Sequence, residues 1–159
     1  MDMVSAALMV FLIGSQGASP SCDLAGMHSA REVHAVLHRR TVDIVAKAAS
    51  DDWENDHDLA RLISPSASFS LGAGDVGRPL PSGLEGARAL AVMVDAARYR
   101  FFRWGYMNMP ADACAVQRVS VEFISDDNQT SSTIEFTFDQ GRVTAASGWQ
   151  RGFESGPLR

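Results

Sequence analysis

Residues Val119–Arg151, VSVEFISDDNQTSSTIEFTFDQGRVTAASGWQR, decide the fold of this chain. A period of two between apolar and polar side chains is typical of strands with one apolar and one polar face. Three segments have this period: Val119–Ile124, Thr133–Phe138 and Arg142–Trp149. Asp126–Gln129 and Gln140–Gly141 separate them and have turn chemistry, because Asn and Gly accept positive φ angles. The stretch therefore predicts three neighbouring antiparallel strands.

The apolar face of these strands needs a cover. Each buried Val, Ile or Phe side chain contributes roughly 1.5–3 kcal/mol on transfer from water. The simple alternation places Phe136 and Trp149 on the same, inward face of the sheet. We therefore expect helices from the upstream part of the chain to pack against this face.

Composition limits the possible functions. The 159 residues suit a single domain, and a net charge of −5 argues against nucleic-acid binding, which requires a basic surface. Arg98, Arg100 and Arg103 cluster on one predicted strand, where we expect a solvated or interface role. No nucleotide-binding motif is present, and we expect no cofactor.

The N-terminal residues resemble an export signal. The apolar run Val4–Ile13 is followed by the small residues of Gly14–Ser19, as in a secretory signal peptide, although no Lys or Arg precedes the run. It is too short to span a bilayer. We expect residues 1–22 to be a signal peptide or an N-terminal extension, and a secreted or periplasmic protein; the alternative is a cytoplasmic protein. Residues 154–159 form a tail.

The chain has two cysteines, Cys22 and Cys114. They could form a disulfide in an exported protein, whereas they would be ordinary thiols in the cytoplasm. Their spacing does not decide between these alternatives, and it matches no metal or redox motif.

Upstream of the hairpins, helical and extended patterns alternate. The predicted helices are Met27–Ser50, Asp56–Ile63 and Leu84–Ala97, and the predicted strands are Ala67–Leu71 and Tyr99–Met107. Ser29 with Glu32 is a candidate capping box for the first helix. Ser64-Pro65 should end the second helix, and the Gly- and Pro-rich residues 72–83 should form a loop.

Three segments resemble the nuclear transport factor 2-like superfamily, which includes SnoaL-like polyketide cyclases and ketosteroid isomerases: Leu59–Phe69, Ser82-Gly83 and Ile134–Val143. The resemblance covers about residues 30–153. It implies an α+β domain (residues 23–153) with a curved, mixed, mostly antiparallel sheet wrapped round three helices as a cystatin-like cone. It also implies a ligand pocket between the sheet and the first helix, and a homodimer formed through the sheet.

The catalytic groups of the ketosteroid isomerases are mostly missing. Ile134 stands where their protonated acid would lie, and Ile44 lies near the position of their tyrosine. Asp75 is close to the position of the base, although a turn residue is the simpler interpretation. Isomerase chemistry is therefore not expected.

Histidines offer two further candidates. His57 lies between Asp56 and Asp58, and the resemblance to dehydratases that use a His-Asp pair makes it the best acid/base candidate; a charged helix start is the simpler interpretation. His34 and His38 are spaced to bind one metal ion, but no third ligand is evident and Ala35 replaces the glutamate of HExxH. We expect no metal site.

Apolar residues give the remaining site predictions. The residues expected to contact a ligand are Trp53, Phe69, Trp104, Phe123, Ile134, Phe136 and Trp149. The favoured hypothesis is a domain that binds a small hydrophobic molecule and has no recognisable catalytic set. The alternatives are an acid/base enzyme using His57 or Asp75 on a polyketide-like or other cyclic substrate, and a dimerising interaction module.

Overall fold

The structure is a computed structural model that describes residues 22–74, 76–102 and 110–153. Its helices are α1 (Ala30–Ala49), a 3-10 turn (Trp53–Asn55), α2 (His57–Leu62) and α3 (Gly83–Val94). Its strands are β1 (Ile63–Ala73), β2 (Arg98–Phe101), β3 (Gln117–Ser125), β4 (Thr130–Asp139) and β5 (Arg142–Gly152).

The five strands form one sheet in the order β1-β5-β4-β3-β2. β1 pairs with β5 in parallel, and the other neighbours are antiparallel. The predicted α+β class, with a mixed, mostly antiparallel sheet and three helices, is confirmed, and so is the cone fold.

The three C-terminal strands pair as the alternation predicts. Val119 lies opposite Phe136, and Val121 lies opposite Ile134. The β4–β5 turn has positive φ angles at both central residues, 51° at Gln140 and 75° at Gly141. Two positive φ angles match the right-handed twist of a two-residue hairpin, so this turn fixes the register of β5.

The core lies between the sheet and the helices. The helix-covered face of the sheet buries Val119, Val121, Phe123, Ile134, Phe136 and Phe138, and the helices bury Val33, Leu37, Ile44, Leu90 and Val94 against it. α3 approaches the sheet closely because a Cβ at Gly86 would lie 2.5 Å from the ring of Phe69. The helical cover that the sequence predicts is therefore present.

Several predicted boundaries are wrong by a few residues. β1 begins at Ile63, directly after α2, and includes Pro65, which a strand tolerates at the edge of a sheet. α3 ends at Val94 because Asp95 adopts a left-handed conformation with φ 43°. Ser29 caps α1 and accepts a hydrogen bond from the backbone N–H of Glu32, which is one of the two hydrogen bonds of the predicted capping box.

Trp149 is on the opposite face from the one predicted. β5 has a register shift between the Thr137–Ala145 and Phe138–Val143 pairs, which leaves Thr144 without a partner as a bulge. An extra residue reverses the alternation, so Ala146 is buried under the helices. Trp149 therefore lies on the outer face of the sheet, opposite Thr133, and its side chain is 50% exposed.

A disulfide joins Cys22 to Cys114, with their Cα atoms 6.0 Å apart. It holds the segment before α1 against the body of the protein, where Leu24 is buried. In the parts of the chain that the structure describes, no helix is long and apolar enough to cross a bilayer.

Candidate functional site

An apolar crevice of about 200 Å³ lies between α1, α3 and β2. Val42, Val45 and Ala46 line one side of it, and Ala91 lines another. Val42, Val45 and Ala46 recur at helical spacing, so the crevice follows one face of α1. Its walls are almost entirely aliphatic or aromatic.

Two aromatic residues define the depth of the crevice. Phe123 is buried and packs edge-on against Phe136, with ring centroids 6.4 Å apart. Tyr99 is 53% exposed, and its ring lies 5.1 Å from that of Phe101. Phe123 thus contributes to the inner wall and Tyr99 to the rim.

The other predicted ligand residues lie elsewhere. Phe69, Ile134 and Phe136 are buried in the core, and Trp53 is partly buried on the 3-10 turn. Trp149 lies on the outer face of the sheet, and Trp104 is outside the described residues. Among the predicted lining residues that the structure describes, Phe123 is the one that borders this crevice.

Of the two predicted catalytic residues, His57 is the one that the structure describes. His57 is the exposed first residue of α2 and lines a separate polar groove of about 520 Å³. Asp75 is outside the described residues. The described residues hold no group of three or more His, Cys, Asp or Glu side chains that could bind a metal ion.

A pair of buried histidines lies at the junction of α1 and β3. The Nδ1 atoms of His34 and His38 are 2.9 Å apart, and His38 Nε2 is 3.1 Å from the carbonyl oxygen of Ser120. A carbonyl only accepts, so His38 carries its proton on Nε2 and its lone pair on Nδ1. His34 must then donate from Nδ1, which fixes the tautomer of both neutral rings.

The surroundings keep this pair neutral. Burial, followed by the proximity of His38, lowers the pKa of His34 to about 4. Burial also lowers the pKa of His38, although its hydrogen bonds to the backbone of Ser120 and of His34 oppose that effect. Protonation of His38 would place donors on both Nδ1 atoms and break their hydrogen bond, whereas His34 would take its proton on the buried Nε2.

The histidine pair should make the stability of the protein depend on pH. The folded pKa of His34 lies below the usual value of 6.5. The neutral ring therefore stabilises the folded state fully above pH 6.5, and this stabilisation is lost as the pH falls toward 4. We expect the free energy of unfolding to drop by about 2 kcal/mol between pH 7 and pH 5 in urea melts. His34→Gln should remove most of this drop, whereas His28→Gln, at an exposed position, should retain it. Equal drops in both variants would contradict this prediction.

An aromatic row connects the histidines with the crevice. The rings of His38 and Phe101 are 4.6 Å apart, and Phe101 also contacts Tyr99 at the rim. Val42, on the crevice wall, follows His38 by one turn of α1. The site therefore combines an apolar crevice with a neutral imidazole pair beside it. The sequence shows the spacing of these histidines but not their burial.

The similarity of this chain to known proteins is a similarity of backbone structure. No protein family model and no curated protein matches the chain. Among solved structures, it is similar to a putative isomerase from Rhodopseudomonas palustris, with 15% identity, 74% of this chain and 90% of that chain covered, and a TM-score of 0.44.

Two other solved structures give similar values. One is a protein of unknown function with a cystatin-like fold from Methylobium petroleophilum, with 12% identity, 83% of this chain and 84% of that chain covered, and a TM-score of 0.43. The other is a de novo designed protein of the nuclear transport factor 2 fold, with 17% identity, 77% and 88% coverage, and a TM-score of 0.40. These likenesses carry no conclusion about function; the order and pairing of its own strands give this chain its cone architecture.

Proposed function

We propose that this protein binds a small apolar molecule in the crevice between α1, α3 and β2. The observation that carries the proposal is a volume of about 200 Å³ with aliphatic and aromatic walls. An apolar cavity of about 150 Å³ in another protein accommodates benzene. Drug-sized ligands occupy pockets of about 300 Å³ or more. The crevice therefore suits a single ring or a short alkyl chain better than a multi-ring substrate.

The rim of the crevice has polar groups, whereas the rest of its lining is apolar. Tyr99 offers a hydroxyl group there, and the Arg98 guanidinium is paired with Asp126. A ligand with one polar end would leave that end at the rim and bury its apolar part against Phe123. No described carboxylate lines the crevice, so binding without chemistry is favoured over acid/base catalysis.

Filling the crevice should abolish binding. Ala46 is exposed on the crevice wall, so Ala46→Phe should occupy the space with little effect on the core. Titration with toluene, followed by NMR of the Val42 and Val45 methyl groups, should show saturable shifts in the unmodified protein and none in Ala46→Phe. Ala35→Phe, at an exposed position on another side of α1, is the matched control. Undiminished toluene binding by Ala46→Phe would refute the site.

A second candidate function is self-association through the outer face of the sheet. Trp149 is half-exposed there, and its ring covers Gly72, at which a Cβ would lie 2.5 Å from the ring. Tryptophan is enriched in protein interfaces relative to the rest of the surface. Sedimentation velocity tests this candidate, since a monomer at all concentrations would exclude it.

The disulfide supports export of the chain. Structural disulfides persist mainly in oxidising compartments. The pairing of Cys22 with Cys114 therefore agrees with the secretory character of Val4–Ile13, which is outside the described residues. Determining the N-terminus of the protein from its native host would test this: an uncleaved chain in the cytoplasm excludes export.

A further inference from the structure

We propose that a second site, in the groove between α1, α2 and the β4–β5 turn, binds an oxyanion group of a small molecule. The groove has a volume of about 520 Å³. Its polar lining includes Arg40, His57, Arg61, Gln140 and Arg142. The groove and the apolar crevice share no lining residue, so the two sites are independent.

Arg142 places a guanidinium group at the groove. Its Nη2 donates to the carbonyl oxygen of Ile63 at 2.8 Å, which fixes the guanidinium at the groove. Its Nε is buried and has no hydrogen-bond partner among the described residues. No carboxylate of the described chain forms an ion pair with it. The guanidinium is therefore a permanent cation at the groove that no described carboxylate neutralises, and an anion bound in the groove would balance its charge.

The other two guanidiniums have different roles. Arg40 is held by both oxygens of Asp23, at 2.7 and 3.2 Å, and by the carbonyl oxygen of Gly141 at 2.6 Å. Its side chain is only 11% exposed, so it forms a fixed wall. Arg61 is 77% exposed and contacts Asp58 through one nitrogen, so its remaining donors can reach a ligand.

The charge balance also favours an anion. Three arginines line the groove, and Asp23, already paired with Arg40, is the acidic residue among the lining side chains. The chain as a whole carries a net charge of −5, so this positive groove contrasts with the rest of the molecule. Planar guanidinium groups match the geometry of carboxylate and phosphoryl oxygens. His57 and Gln140 add further polar groups to the same lining.

The buried Arg142 Nε–H provides a site-specific measurement. Inorganic phosphate and succinate, which distinguish the phosphoryl and carboxylate sources, should each be titrated into the disulfide-bonded protein, with glycerol as the neutral control. We expect the Arg142 Nε–H resonance in 1H–15N spectra to shift saturably with at least one anion and not with glycerol. Raising the ionic strength should weaken binding severalfold, because the attraction is electrostatic.

Variants separate this site from general charge effects. Arg142→Gln and Arg61→Gln should each weaken anion binding about tenfold, the loss expected for one charge-assisted hydrogen bond. Arg118→Gln removes an exposed arginine on the outer face of the sheet and should have no effect. Ala46→Phe should also leave anion binding unchanged, so a failure of this site is distinguishable from a failure of the crevice. Arg61 is exposed, so Arg61→Gln tests the site even if Arg142→Gln fails to fold.

Two results would overturn the proposal. One is an Arg142 Nε–H resonance that does not respond to either anion at concentrations up to tens of millimolar. The other is equal weakening of binding by Arg118→Gln and Arg61→Gln, which would indicate diffuse attraction to surface charge.

Discussion

Phe136→Ala should lower the free energy of unfolding by about 3–5 kcal/mol, the usual loss for a large aromatic side chain removed from a core. Phe136 is fully buried on β4, opposite Val119 and Ala146, and its ring packs edge-on against Phe123. Helices cover this face of the sheet, so the surroundings can collapse only partly into the space left. Urea unfolding followed by circular dichroism measures the loss.

Phe153→Ala is the matched control for this substitution. Phe153 is 36% exposed just beyond β5, so its removal should cost less than about 1 kcal/mol. A loss below about 1 kcal/mol for Phe136→Ala would mean that the ring lines an open cavity instead of filling the core.

Removing the disulfide should have an effect of similar size. Cys22 and Cys114 are 92 residues apart, and the loop-closure model gives about 4–5 kcal/mol for a loop of that length. The double variant Cys22→Ser/Cys114→Ser avoids leaving a single reactive thiol. Its free energy of unfolding, from urea titration, should fall by about that amount.

A reductant provides the internal control for this experiment. Dithiothreitol should destabilise the unmodified protein to the level of the double variant and leave the double variant unchanged. The carbonyl of Cys114 still accepts a backbone hydrogen bond from Gln140 without the disulfide, so we expect the fold to persist. Stability that does not respond to reduction would contradict a bond between these cysteines.

The alternation of side chains predicts most of the sheet correctly. Val119, Val121 and Phe123 share a buried face with Ile134, Phe136 and Phe138, because strand periodicity is local and each of these strands is regular. The face of Trp149 is predicted wrongly because one bulged residue, Thr144, reverses the alternation of inward and outward side chains in the rest of β5. Nothing in the local composition of β5 marks the bulge, which depends on pairing with β4.

The sequence predicts the candidate sites less well than it predicts the sheet. The crevice is built from common residues such as Val42, Ala46 and Tyr99, and their proximity depends on how α1 packs against β2. Arg142 follows a turn in the sequence, and its importance appears only when Ile63 is placed beside it. The spacing of His34 and His38 was visible, whereas their low pKa values arise from burial.

The disulfide also makes residues 22–114 a covalent ring. The ring includes the exposed loop around Val76, which is 71% exposed and is the kind of segment where proteases cut first. A single cut there would open the ring without separating the two fragments, because the sulfur bridge still joins them. The nicked molecule would keep its mass apart from one added water, and the two fragments would separate only when the protein is both reduced and denatured.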